Sequence, residues 1–558
     1  MIQQTKLLNP CRFAVATLFV LLSLGFAAPS FAARKERLVD EWKPTNYNVS
    51  LTFNDELNEI TSAKTEITIL SLKDSLSRID LDFGELPIDG ITVNNRDAQY
   101  TRSPGLINIK LSQRVRQGTS FVVAVSYHGK PRDGLVLALD KAGKPSAVGD
   151  NWPNRSHHWI PCFDHPAAKA TVSFSITAPA NDLVVANGKL DRVENSSSTM
   201  RTWTYTEAVP IPPYCMIIAV GDFVRVEPSL ETVLLAYYVP GPDEAYALQG
   251  FAPANPSLKF FSETIAPYPY EKLALIIGAT RFGGMENSSA IVFARSLFDP
   301  KEGVISDVFK VREDLRDVIA HEIAHQWFGD SVTEATWSDL WLSEGFADYF
   351  AGIFVQHYEG EQDFQRYMKE LADDYLNYEK TRRAPIYDTE TEDLFKLLNA
   401  NNYQKGAWVL HMLRSELGEA QFFRGIRAYY EAHKNATATS EDLRAAFEKA
   451  SGRDLKDFFA RWIYGAGHPS YDLSWQWNTR NNKLRLRLKQ LQPEPAFPNA
   501  VPIEILTANG KRRFVLKPTG KQTVDEVKLD AAPTTINIDP ENSILKDAHV
   551  SRMRSDKL

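Results

Sequence analysis

The chain has 558 residues, more than one hydrophobic core normally organises, so two to four domains are expected. Its 44% hydrophobic and 24% charged residues are ordinary for a folded protein and exclude extended disorder. A formal net charge of −7, with Asp+Glu 70 against Lys+Arg 63, argues against nucleic acid as a partner.

Residues 1–33 read as a secretory signal: a basic start with Lys6 and Arg12, the apolar run Phe13 to Ala28, then the small-residue end Ser30-Phe31-Ala32-Ala33. The apolar run falls short of the roughly twenty residues a spanning helix needs, so no stable membrane span is expected once the signal is removed. The protein is therefore expected to be exported, to the periplasm or beyond the cell. Loss of Cys11 leaves Cys162 and Cys215, one possible bridge in a large protein, and free buried thiols are the expectation.

From 34 to 225 short alternating runs dominate, such as Tyr47-x-Val49-x-Leu51-x-Phe53 and Val123-x-Val125-x-Tyr127, punctuated by Gly, Pro, Asn and Asp; this predicts a β-rich, sandwich-like domain. From 226 to 468 the period changes. Long helical patterns prevail from Ser257 to about Ala466, among them Gly406 to Leu417, Glu419 to His433 and Ser440 to Ser451. Ser440 reads as an N-cap and Gly452 as a terminator. From 469 to 558 alternation returns in Leu473-x-Trp475-x-Trp477, Leu484-x-Leu486-x-Leu488 and Thr535 to Asp539, predicting a small closing β-sandwich. The fold class is α+β multidomain.

The chemistry concentrates in the middle segment. His321-Glu322-Ile323-Ala324-His325 places two imidazoles four apart on one helix face, where they can converge on one cation. Glu322 stands about 100° round the same helix, free for proton transfer. Leu315, Val318, Ile319 and Ile323 recur at helical spacing and Gly329 supplies a stop, predicting a largely buried helix of about sixteen residues. After eighteen intervening residues Glu344 opens a second apolar-periodic segment, which suits two antiparallel helices with a metal between them. Two imidazoles and a carboxylate form the ligand set of a catalytic zinc with one position open. Asp348, one turn beyond Glu344, could accept a hydrogen bond from a ligand histidine's second nitrogen and fix its tautomer; the alternative is a surface Asp.

These residues carry a family resemblance. His321-Glu-x-x-His325-x-Trp-Phe-Gly through Trp337-x-Asp339-x-Trp341-Leu-x-Glu344-Gly-Phe-Ala resembles the gluzincin zinc aminopeptidases that include aminopeptidase N and the leukotriene-epoxide hydrolase. Upstream, Gly283-Gly284-Met285-Glu286-Asn287 looks like that family's substrate-amine motif, and downstream Tyr403-Gln-Lys405-Gly406-Ala407 looks like its catalytic-tyrosine motif. Weaker echoes run from Trp159-Ile-Pro-Cys-Phe-Asp164 to Gly467-x-Pro469. The resemblance implies an N-terminal β-sandwich or saddle domain, a thermolysin-like, mainly helical catalytic domain, and one Zn2+ per chain held by His321, His325 and Glu344. It implies peptide substrates with a free amino terminus. Glu322 then takes the proton of the zinc-bound water and passes it to the leaving amine, while Tyr403 assists zinc in stabilising the oxyanion. Glu286 pairs with the substrate's α-ammonium, and the Gly283-Gly284 backbone approaches an extended substrate as an added strand. Family members commonly add a large helical domain after the last β-sandwich; here the sequence stops, implying no C-terminal helical domain and a more open site.

The pattern is not followed everywhere. Where relatives offer a second amine-binding Glu or Gln, counting back from Pro161 reaches Trp152. Asp150 or Asn151 could substitute, the amine could rely on Glu286 and Glu344, and Trp152 could line the first-residue pocket or simply pack. Asp330 stands where Asn is usual, and His157, His158 and His165 replace typical residues without forming a strong metal pattern. An endopeptidase or an epoxide hydrolase on the same scaffold, and a non-catalytic binding protein, are the alternative functions.

Overall fold

The computed structural model describes residues 34–140, 142–228, 234–241, 249–298 and 315–553, so the predicted signal segment lies outside the described residues. Among them no helix is long and apolar enough to cross a membrane.

The N-terminal domain is a two-sheet packing. An eight-stranded sheet is centred on Trp42–Phe53, which runs antiparallel to Ile60–Ser71 and parallel to Ala170–Pro179. The predicted alternation is realised: Tyr47, Val49, Leu51 and Phe53 all turn inward. A three-stranded sheet of Leu76–Asp82, Leu106–Val115 and Gln99–Ser103 supplies Ile79, Leu81, Ile107 and Ile109 to the same core, against Ile67, Ile69, Val123 and Val125.

A separate four-stranded sheet joins this domain to the next. It contains Leu183–Ala186, Ile218–Gly221, Pro145–Gly149 and Leu135–Leu139 in that order. Val148, Val185, Ile217 and Ala219 from this part of the chain share one apolar cluster with Ala236, Ala274, Ile276, Ala290 and Val292 of the following domain.

The second domain departs from the mainly helical expectation at its start. A five-stranded sheet runs in the order Phe223–Val226, Leu234–Pro240, Lys272–Gly278, Ala290–Ala294, Gly284–Met285. Lys272–Gly278 is buried on both faces and parallel to its neighbours, so it reads as a continuous apolar run with no alternation to mark it as a strand. The first strand also straddles the expected boundary at 225.

Eight α-helices follow among the described residues: α1 (Ala254–Thr264), α2 (Leu315–His325), α3 (Trp341–Glu359), α4 (Glu361–Glu379), α5 (Gly406–Leu417), α6 (Glu419–His433), α7 (Ser440–Ser451) and α8 (Lys456–Trp462). Three of these match their predicted bounds. Helix α2 ends at His325 rather than running on to Gly329, because Gln326 to Asp330 turn back to pair with the strand beyond: the N–H of Gly329, itself at φ +120°, donates to Val332 O. The N-cap of α7 is Thr439, not Ser440; Thr439 and Asp442 form a reciprocal capping box, and Gly452 ends the helix in the left-handed conformation.

The C-terminal segment forms a four-stranded and a three-stranded sheet facing each other. Its inward residues Leu473, Leu484, Leu486, Ile503 and Ile505 belong to one continuous core with the helices of the second domain. Cys162 and Cys215 are buried free thiols, as expected.

Candidate metal centre and substrate cleft

Helices α2 and α3 pack side by side, and their facing surfaces are buried from Val318 to His325 and from Trp341 to Val355. This brings the Nε2 atoms of His321 and His325 to 3.0 Å of each other and Glu344 Oε2 to 3.5 and 3.4 Å of them. The other ring nitrogens are already committed. His321 Nδ1 lies 2.8 Å from Asp348 Oδ1, and His325 Nδ1 lies 3.1 Å from both Phe328 O and Ser343 Oγ. With both Nδ1 atoms acting as donors, the Nε2 lone pairs face each other and a carboxylate. Such a set repels itself unless a cation sits between, so the residues fit the expected zinc. Asp348 is fully buried and is not the surface Asp of the alternative.

Glu322 and Glu286 reach the same space from the other side, close enough to His325 for one oxygen of each to lie within 4.8 Å of its ring nitrogen. Burial pushes the Glu286 carboxyl well above its usual range; His325 opposes this, and the neighbouring Glu344 and Glu322 reinforce it. A carboxylate so costly to ionise alone is one that an incoming cation stabilises. Glu286 follows the edge strand Gly284–Met285, which pairs with Val292 and Phe293 on its inner side only. Gly284 leaves room for the base: a Cβ at that position would collide with the Glu322 carboxylate and push it aside.

Tyr403 enters from a short π-helical segment, Asn401–Lys405, immediately before α5. Its ring lies parallel to that of His321, with centroids 6.1 Å apart. Burial, then the charges of Glu344 and Glu286, push its phenol well above the ordinary value, so it remains a proton donor. One cavity is lined by Trp152, Phe282, Gly284, Met285, Glu286, His321, Glu322, His325, Glu344, Leu398 and Tyr403. Gly283 and Asn287 stand outside it. Gly283 O accepts the N–H of Ala294, and Asn287 Nδ2 donates back to Met285 O, so both shape the loop that presents Glu286.

The departures noted in the sequence now have places. Asp150 is fully buried and paired with Arg155 at 2.8 Å, and Asn151 donates to Met216 O and accepts from the Trp159 indole. Neither lines the cavity; Trp152 does. His157 pairs with Asp164 at 2.8 Å and His165 with Glu36 at 2.7 Å, so these histidines serve packing and ion pairing. Asp330 accepts from Gln326 and from the Cys215 thiol.

Gln326 is a residue that motif reasoning passed over. Its Nε2 donates to Glu286 O at 2.7 Å and Asp330 Oδ2 at 2.8 Å, and its Oε1 accepts from Ser289 N–H at 2.8 Å and the Tyr268 hydroxyl at 3.1 Å. Every hydrogen-bonding capacity of the amide is used to tie the end of α2 to the loop bearing Glu286. Its place directly after His325 was the available signal.

A carboxylate and two imidazoles on one buried helix, a carboxylate from the next and a buried phenol opposite make up a candidate metal site of the metallopeptidase kind. The chain matches the Peptidase family M1 domain over residues 251–462 and the Peptidase M1 N-terminal domain over residues 43–215, and it belongs to peptidase family M1. It is 27% identical over 460 residues to "Probable aminopeptidase 1" of Saccharolobus solfataricus, covering 80% of this chain and 55% of that protein. It is 25% identical to "Tricorn protease-interacting factor F2" of Thermoplasma acidophilum, covering 81% and 57%. It is 31% identical to the "Glutamyl aminopeptidase" of Homo sapiens over 58% of this chain and 35% of that protein. The chain thus spans about half the length, or less, of the curated relatives it matches.

Proposed function

We propose that the protein is an exported zinc aminopeptidase that hydrolyses the first peptide bond of peptides with a free amino terminus. The observation that carries this reading is the position of Glu286, which shares one buried cavity with the donor set of His321, His325 and Glu344. A carboxylate there recognises the α-ammonium and limits cleavage to the bond one residue away. The names of the M1 relatives support the same activity.

His321, His325 and Glu344 would hold zinc, which when bound acidifies water and polarises a carbonyl. Glu322 accepts the proton of the attacking water and delivers it to the leaving amine. Tyr403, kept neutral by its surroundings, donates a hydrogen bond to the oxygen that gains charge as the carbonyl carbon becomes tetrahedral. The open side of the Gly284–Met285 strand aligns the substrate backbone. Export is supported by the pattern of residues 1–33.

The test is hydrolysis of amino-acid amides with free and acetylated amino termini, with and without a chelator. Release from free amines only, lost with chelator and in Glu322→Gln, and weakened at least tenfold in Glu286→Ala, is the expected result. Equal cleavage of acetylated substrates would overturn it in favour of an endopeptidase.

A further inference from the structure

We propose that Trp152 restricts this site to amino termini whose first side chain is small and uncharged, with the indole closing the end of the first-residue pocket. The proposal rests on the aminopeptidase reading. The α-carbon of the first residue bears an ammonium, a carbonyl and a side chain. Glu286 takes the first; His321, His325, Glu344 and Tyr403 surround the second. With Glu322 turned to the attacking water and Gly284 offering no side chain, the walls of the cavity that remain for the third are Trp152, Phe282, Met285 and Leu398, and none of these carries a charge.

Two cations behind this wall do not change this. The guanidinium carbons of Arg155 and Arg281 lie 5.6 and 5.9 Å from the centre of the Phe395 ring, which itself packs against Trp152 and Phe282. Both are paired with Asp133 at 2.6 Å, and Arg155 also with Asp150 at 2.8 Å. An acidic first side chain therefore meets aromatic carbon, and among the described residues lining the cavity a basic one finds no carboxylate beyond Glu286, Glu322 and Glu344. This separates the chain from what the name of its glutamyl aminopeptidase relative describes.

Size follows from the indole. Its ring stands in the wall of the cavity and takes up space that a longer first side chain would need. Nor can the wall swing aside at low cost. Arg155 Nε donates to Trp152 O at 2.8 Å, and the indole meets Phe282, Trp337 and Phe395 edge to face at 6.0, 6.0 and 5.9 Å. Trp152 is 2% exposed. A rigid, apolar end wall discriminates by size, and each methylene gained or refused in such a pocket changes kcat/KM by roughly 10- to 200-fold.

The experiment compares kcat/KM for the amides of Ala, Leu, Phe, Lys and Glu in the parent, Trp152→Ala and Trp152→Phe. Binding of alaninamide and phenylalaninamide to the Glu322→Gln protein, with and without Trp152→Ala, is measured by calorimetry as a readout independent of turnover. The parent is expected to prefer alaninamide, and Trp152→Ala to raise the Phe-to-Ala ratio by at least tenfold in both kinetics and binding, with Lys and Glu poor throughout. Leu398→Ala opens the same pocket from another wall and is expected to move the ratio the same way, which covers a failure of Trp152→Ala to fold. A parent that prefers Phe, Lys or Glu, or a ratio unmoved by both substitutions, overturns the proposal while leaving the free-amine requirement intact. Loss of the free-amine requirement itself refutes the aminopeptidase reading and this proposal with it.

Discussion

Two carboxylates one helical turn apart divide the work on His321: Glu344 faces its Nε2 and Asp348 its Nδ1. The second contact fixes the tautomer and raises the basicity of the nitrogen that would bind metal. Asp348→Ala is expected to weaken zinc binding by roughly ten- to a hundredfold, read by chelator competition; an unchanged affinity would show the contact to be incidental. Gly284 makes the complementary case for absence of a side chain. The methyl of Gly284→Ala would displace the Glu322 carboxylate, so kcat is expected to fall by roughly 10²- to 10⁴-fold with zinc content intact. Activity near the parent's would mean that Glu322 has another route to its water.

At the scale of elements, legibility tracked how local each signal was. His321, Glu322 and His325 lie on one helix and Glu344 opens the next, so spacing alone brought them together, and the 3.6-residue period located α5, α6 and α7. What spacing could not show depends on docking. The wall at Trp152 exists because a loop of the N-terminal domain meets Phe282, Trp337 and Phe395 from three other segments, and no periodicity links these positions. The π-helical segment that aims Tyr403 has no pattern distinguishing it from the first turn of α5. The fully buried strand Lys272–Gly278 escaped for the opposite reason, being apolar on both faces. Gln326 belonged to a recognised motif yet acts through backbone atoms of another loop, which side-chain chemistry does not announce.

Across the whole molecule, the C-terminal sandwich is joined to the catalytic helices by shared core and by His411. This imidazole, on α5, donates from Nε2 to Asn542 O at 3.1 Å, and burial holds its pKa down to about 4 against an ordinary 6.5. The unfolded chain takes up this proton near 6.5 and the folded chain only near 4. The stability it contributes is therefore whole above pH 6.5 and drains away as pH falls towards 4, by up to roughly 3 kcal/mol. Urea unfolding across that interval should show a shallower decline in His411→Gln than in the parent; parallel declines would place the acid sensitivity elsewhere.

The apolar cluster between the N-terminal and catalytic domains has a last consequence. It contains Trp152 on one side and Met285 and Trp337 on the other, whereas every donor for the metal lies within α2 and α3. On the proposed reading, holding the ion would be a property of one domain, while choosing the substrate would be a property of a seam between two. A slight parting of that seam would then cost the protein its discrimination first, with both domains still folded and the donor set intact: it would become less selective before it became less stable.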